Sequence, residues 1–450
     1  MWIVRWETQS GHHGAMWRSR AKDLGNGSYL ASLPATLRGI HALAHVQLWW
    51  TASVRSEHFL LHDWVQHGGR GFENVTAGGA PRCIGEALPS SPLHLPPQTS
   101  GMRHPQGRPC EERSSMRGHW RFADGRYEWR PAGCGVGDNP CDNAFRCSWH
   151  DRVCLQAEAA SCLAGRRLVL LGDSVLAGTF LDLCALLGHG NDTCVKIGPN
   201  VGWQTRPENI SMLPRVPLAF MPVFSLPGRT GLANMVGDET MREAWERLLS
   251  SASSDTIVVL QSGLHDVGMM PPSKHRAAPL QRYEHDLRQL ARLVGRVRRR
   301  NPSVVFVWRA MMEGVLMADT PTAALRDGCS VNDMPQTHPD VVDFMNQAAA
   351  KAFARTPGVT VWPDAAPLTF SAPTAAWRTF TGQRDVVHHD KCGRGVSAMR
   401  EGSGRCHAPN APADRNQSLY PGYKNWLQGG LSTTITQTLF AVLNCTCALP

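Results

Sequence analysis

From residue 160 onward, short apolar runs alternate with longer amphipathic stretches, and this alternation constrains the fold more than any other property of the chain. Residues 167–171, 256–261, 303–308 and 358–362 are apolar and of strand length. Two helical patterns separate the last three. In one, Leu287, Leu290, Val294 and Val297 recur at three- and four-residue spacing. The other opens at His338-Pro339, with proline in the first turn, and runs to about Arg355. Residues 175–187 and 431–443 also read as helices. Strands alternating with helices predict an α/β fold: a mostly parallel sheet covered on both faces. No internal repeat is evident.

The N-terminal part differs. Residues 40–50 alternate, with Ile40, Ala42, Ala44, Val46, Leu48 and Trp50 on one face and His41, His45 and Gln47 on the other. Asn26-Gly27 is a turn signal ahead of Tyr29-Leu30. Residues 1–65 therefore read as a small β-sandwich-like domain. Residues 66–160 are dominated by Gly, Pro, Arg and Cys, and the stretch from Ser90 to Pro109 predicts an exposed linker. Residues 120–129 predict a hairpin around Asp124-Gly125. The chain thus divides into a β-domain at 1–65, a Pro/Gly/Cys-rich connector at 66–160 and an α/β domain at 161–450.

Fourteen cysteines, five of them between Cys134 and Cys162, form no Cys-x-x-Cys pair. Disulfides explain them better than a structural metal, which implies an oxidising compartment. Six glycosylation sequons agree: Asn26, Asn74, Asn191, Asn209, Asn416 and Asn444. Met1-Trp-Ile-Val-Arg-Trp shows no signal peptide, and no apolar run is long enough to span a membrane. We therefore expect an N-terminally incomplete sequence on the secretory route rather than a cytosolic protein. The net charge is +9, without a dense nucleic-acid-type patch, so no nucleic-acid partner is expected. The Arg296–Arg300 run closes a predicted helix, where cations are favoured.

Three chemical signals fall just after strands. Gly172-Asp173-Ser174 follows Leu-Val-Leu-Leu, Gly263-Leu264-His265-Asp266 follows an apolar run, and Arg309 closes Val-Val-Phe-Val-Trp. A fourth, Asp385-x-x-His388, precedes the last helix. A serine hydroxyl needs a base to take its proton, and imidazole does this near neutral pH when a carboxylate fixes its tautomer. Ser174, His388 and Asp385 can fill these roles. The backbone N–H groups of Ser174 and the Gly263 loop, with His265, can supply an oxyanion site. The combination predicts a serine esterase or acyltransferase. Plainer readings stand beside it: Ser174 as a helix N-cap, His265-Asp266 as a surface ion pair, Arg309 as the partner of a core carboxylate. His388-His389-Asp390 lacks the helical spacing of a metal site, and no metal is expected.

Gly-Asp-Ser, then Ser-Gly-Leu-His-Asp, then Asp-x-x-His resembles the PC-esterase branch of the SGNH-hydrolase-like superfamily. The stretch from Asp23 to Pro34, with Arg38-Gly-Ile-His, is similar to the β-domain of the neurexophilin and PC-esterase (NXPE) family. Tyr127-Glu-Trp-Arg-Pro with Cys134 resembles the approach to the catalytic domain there and in trichome-birefringence-like proteins. The resemblance implies an SGNH-like three-layer α/β/α catalytic domain, preceded by an Ig/filamin-like β-domain. It also implies a Golgi or secreted enzyme that moves acetyl groups on or off glycans. Ser174 is then the nucleophile, His388 the base, Asp385 its orienting partner, and Gly172, Asp173, Gly263, His265, Asp266 and Arg309 surround the acyl group. The family tends to carry Arg three residues after the serine; this chain has Ala177, leaving Arg309 to replace that donor.

Three functions follow as expectations. The first is glycan O-acetyl transfer through an acetyl-serine, with no bound cofactor and an acetyl donor such as acetyl-CoA as co-substrate. The second is O-acetyl ester hydrolysis by the same triad. The third is a non-catalytic binding ectodomain.

Overall fold

The computed structural model describes residues 2–8, 15–31, 42–48, 93–95, 118–123, 126–131, 152–187, 194–196, 218–222, 231, 236, 239–252, 255–263, 266, 278–312, 339–363, 368 and 430–443. Strands β1 (Trp2–Thr8), β2 (Ala15–Arg20), β5 (Ala42–Leu48), β6 (Leu93–Leu95), β7 (Gly118–Ala123) and β8 (Arg126–Pro131) form one antiparallel sheet in the order β6-β5-β1-β2-β7-β8. The expected alternating strand is β5, and it pairs with β1 from Trp2↔Leu48 to Thr8↔Ala42. The expected hairpin is β7–β8, in register from Gly118↔Pro131 to Ala123↔Arg126. The stretch read as a connector thus supplies three strands, β6 to β8, to the sheet that β1, β2 and β5 begin. A separate two-stranded ribbon joins β3 (Lys22–Asp23) to β4 (Tyr29–Leu30). Its tip turns at Gly25 and Gly27, both at positive φ, and the Asn26 side chain accepts the Ser28 N–H at 3.0 Å.

The second sheet is entirely parallel. It contains β9 (Arg167–Gly172), β10 (Cys194–Lys196), β11 (Leu218–Pro222), β12 (Thr256–Leu260), β13 (Val305–Arg309) and β14 (Val359–Trp362), in the order β10-β11-β9-β12-β13-β14. Its central strands are buried along their whole length, Leu168 to Gly172 in β9 and Thr256 to Leu260 in β12. Continuous apolar strands of this kind need cover on both faces.

Among the described residues six helices provide that cover: α1 (Arg152–Leu163), α2 (Ser174–Leu187), α3 (Glu239–Ser250), α4 (Ala278–Arg300), α5 (Pro339–Phe353) and α6 (Gly430–Val442). They fall into two packing groups. Helix α2 touches α1, α6, β9 and β11, whereas α4 touches α3 and α5. Right-handed crossovers explain the division. The chain leaves β9 toward β10 and β11, then returns past β9 to β12, so α3, α4 and α5 lie on the face opposite α2. Among the described residues no helix is long and apolar enough to cross a membrane.

Helix α4 shows why the sequence pattern was readable. Leu280, Tyr283, Leu287, Leu290, Val294 and Val297 are buried on one stripe, each contributing about 1.5–3 kcal/mol if fully desolvated. Arg298, Arg299 and Arg300 occupy its last turn, where the helix dipole favours cations. Pro302 follows, and Asn301 ties this end to the turn after α3 by donating to the Ala252 carbonyl at 2.7 Å. Trp120 of β7 is fully buried within the same continuous core, and α6 packs on both β8 and α2. Cys162 on α1 and Cys184 on α2 are each disulfide-bonded.

Candidate functional site

In the parallel sheet the strand order reverses between β9 and β12. Strands β10 and β11 lie on one side of β9, whereas β12, β13 and β14 continue on the other. Ligands of open α/β sheets bind at the carboxyl ends of the strands beside such a reversal. Gly172-Asp173-Ser174 leaves β9 there, and Gln261-Ser262-Gly263 leaves β12 directly opposite, with the Gln261 N–H donating to the Leu171 carbonyl at 3.0 Å.

The β9 turn is tight because position 172 has no side chain. A Cβ there would sit 2.9 Å from Leu176 Cδ2 and 3.1 Å from Gln261 Cβ, so glycine lets the two strand ends approach this closely. Asp173 then caps the helix: its Oδ1 accepts the Val175 N–H at 2.9 Å. The N-cap reading of Ser174 is therefore corrected by one residue. Asp173 takes that role, and Ser174 stands at the first helical position, in the field of the α2 N-terminus. Asp173 is 3% exposed, and among the described residues its Oδ2 has no hydrogen-bond partner.

The β12 turn folds back on itself. The Asp266 carboxylate is fully buried; its Oδ2 accepts the Gly263 N–H at 2.8 Å and the Ser262 hydroxyl. A surface ion pair is thus excluded for Asp266. The Gly263 N–H, expected to face an acyl oxygen, is committed to Asp266 instead. Gly263 has φ 146°, and a Cβ on it would press on Met311 and Met345. Gly231, at φ 110°, lies so close to Asp266 that any Cβ would overlap the carboxylate.

Beneath both turns, Tyr283 of α4 donates its hydroxyl to the Ser262 carbonyl at 2.9 Å. Burial, and then the Asp266 and Asp173 carboxylates, hold this phenol well above the ordinary tyrosine range, so it remains a donor. Both carboxylates therefore act on one buried neighbourhood under the two turns.

Arg309, at the end of β13, is fully buried. Its Nη1 donates to the Val175 carbonyl at 3.2 Å, and its guanidinium lies 5.2 Å from the centroid of the Trp362 ring. It thus binds the first turn of the helix that begins with Ser174. Asn346 of α5 fixes the strand end beside it by accepting the Met311 N–H at 2.7 Å and donating to the Met311 carbonyl at 2.9 Å.

Asp385, His388 and His265 lie outside the described residues, as do the sequons at Asn74, Asn191, Asn209, Asn416 and Asn444. The sequon at Asn26 lies at the exposed tip of the β3–β4 ribbon. Sequence reasoning missed Gly231, Tyr283 and Asn346. Tyr283 carried a signal of sorts, since a phenol in an apolar helix stripe needs an acceptor. What the structure brings together is a strand-end serine at a helix N-terminus, facing a second turn locked by a buried carboxylate. A helix N-terminus stabilises negative charge that develops beside it.

In comparisons with known proteins, no family model matches the chain, and no curated protein matches it.

Proposed function

We propose that the chain is a serine acyltransferase that moves O-acetyl groups onto glycans. One observation carries the proposal: Gly172-Asp173-Ser174 ends β9 at the reversal of strand order, with Asp173 as the helix cap and Ser174 next in line. Ser174 Oγ attacks the acetyl carbonyl of a donor such as acetyl-CoA while His388, oriented by Asp385, takes the hydroxyl proton. The donor's thiolate or alkoxide leaves with that proton, and an acetyl-serine remains. A sugar hydroxyl then attacks the ester, gives its proton to His388, and carries the acetyl group away as Ser174 Oγ regains a proton. Arg309 holds the first turn of α2 in place through the Val175 carbonyl.

The finer architecture in this proposal is an SGNH-like three-layer catalytic domain, an Ig/filamin-like β-domain and a cysteine-rich connector. The Golgi lumen or the extracellular space is the proposed location. The disulfides at Cys162 and Cys184 and the exposed sequon at Asn26 support it.

The test is intact-mass analysis after incubation with p-nitrophenyl acetate. Wild type is expected to gain one acetyl group and Ser174→Ala none. Equal labelling of both proteins would remove Ser174 from the mechanism. Adding sugar acceptors separates transfer from hydrolysis: faster loss of the acetyl group to sugar than to water supports transferase action, and the reverse makes the protein an esterase.

A further inference from the structure

The arginine run that closes α4 divides into two sets with different partners. Arg296 and Arg300 both pair with Glu246 of α3, at 2.9 and 2.6 Å. Arg298 donates to the Pro302 and Val304 carbonyls, the latter at 2.6 Å. These three act structurally. Among the described residues Arg292, Arg299 and Arg355 have no ion pair or hydrogen bond, and Arg288 donates only its Nε, to the Glu284 carbonyl at 3.2 Å. All four are exposed.

These four arginines line a groove of about 750 Å³ between α4 and the turn that leads from α5 into β14. Among the described residues eleven line it; six are arginine, and none is acidic or aromatic. Its floor is small and apolar, formed by Ala291, Gly295 and Ala352. Gly295 keeps the groove open: a Cβ there would meet only Arg299 Nη1 at 3.8 Å and Thr356 Cγ2 at 4.0 Å. The helix dipole does not account for the whole set. Its influence fades within the last turn, and Arg288 and Arg292 lie two and more turns before Arg300.

We propose that this groove binds a linear sulfated polysaccharide. Guanidinium groups donate paired N–H bonds to sulfate and carboxylate oxygens. Arg288, Arg292 and Arg299 follow one helix face over about 16 Å, so they match a row of anionic groups rather than a single phosphate. Arg355 faces that row from the opposite wall. A single-stranded nucleic acid fits less well, because its bases stack on aromatic side chains and there are none among the described lining residues. The site is separate from the β9–β12 reversal, and the proposal does not depend on acyl transfer.

The experiment titrates the full chain with a size-defined heparin octasaccharide over a salt series, beside an oligothymidylate of similar charge. Wild type is expected to bind the octasaccharide more tightly than the oligonucleotide, with affinity falling as salt rises. Arg292→Ser/Arg299→Ser/Arg355→Ser is expected to lose at least about tenfold in affinity and to show a shallower salt slope. The corresponding triple lysine variant keeps the charge and is expected to lose less. Ser174→Ala is expected to bind as wild type does, which keeps this result apart from any outcome at Ser174. An unchanged affinity in the triple serine variant, no binding at low salt, or equal binding of the oligonucleotide would each overturn the proposal.

Discussion

The two turns that face each other across the strand-order reversal use the same device to opposite ends. Each carries a buried aspartate that accepts a nearby backbone N–H: Asp173 from Val175, two residues ahead, and Asp266 from Gly263, three residues back. The forward bond starts a helix and sets Ser174 at its first position. The backward bond closes a loop, and Asp266 takes the Ser262 hydroxyl as well. One turn launches a helix and the other immobilises its own backbone. Whether an aspartate bond points forward or backward along the chain thus decides what the turn offers.

The contrast can be broken first at Asp266. Removing a carboxylate that satisfies two buried donors should cost about 3 kcal/mol, so Asp266→Ala is expected to show the largest fall in denaturation midpoint. Gly231→Ala comes next, at about 2 kcal/mol, since it meets both a positive φ and the Asp266 carboxylate. Combining the two tests the contact itself. The double variant should be more stable than the sum of the single effects predicts, and strict additivity would show that the two residues act separately.

Tyr283→Phe sharpens the comparison from below, because it removes only the hydroxyl bond to the Ser262 carbonyl, worth about 1 kcal/mol. It carries a pH signature too. The folded protein holds this phenol protonated while the unfolded chain releases its proton near the ordinary value of about 10. The unfolded state then binds fewer protons, so stability falls as pH rises above that point. Tyr283→Phe should flatten this alkaline decline, as measured by urea unfolding across the range. The smallest effects belong to the forward turn. Asp173→Ala should cost about 1 kcal/mol as a lost cap, whereas Asp173→Asn keeps the acceptor and should change stability by less than about 0.5 kcal/mol.

Much of the parallel sheet was legible because its strands and helices each carry a local pattern. The run at 167–171 is β9, and the stripe from Leu287 to Val297 lies within α4, which extends to Ala278. Helix α1 was hidden in a cysteine-dense stretch with no clear apolar face. Helix α3 was overlooked although Trp245, Leu248 and Leu249 are buried along it. At the site, the Gly-Asp-Ser turn was readable because its residues adjoin in sequence. The approach of Gly231 to Asp266 was not, since two loops meeting across 35 residues leave no periodic trace in either. The direction of the Asp266 bond was equally out of reach, because sequence shows a carboxylate but not which amide it accepts.

Helix α2 is wrapped by β9, β11, α1 and α6, and Val175, Leu176, Phe180, Leu183, Cys184 and Leu186 are all buried along it. Its inner amides can exchange with solvent hydrogen only when the surrounding core opens, so they belong with the slowest-exchanging protons of the molecule. Ser174 therefore stands at the start of one of the most deeply packed helices among the described residues. If the proposed acyl transfer holds, α2 is a fixed platform, and aligning donor with acceptor falls to the substrates.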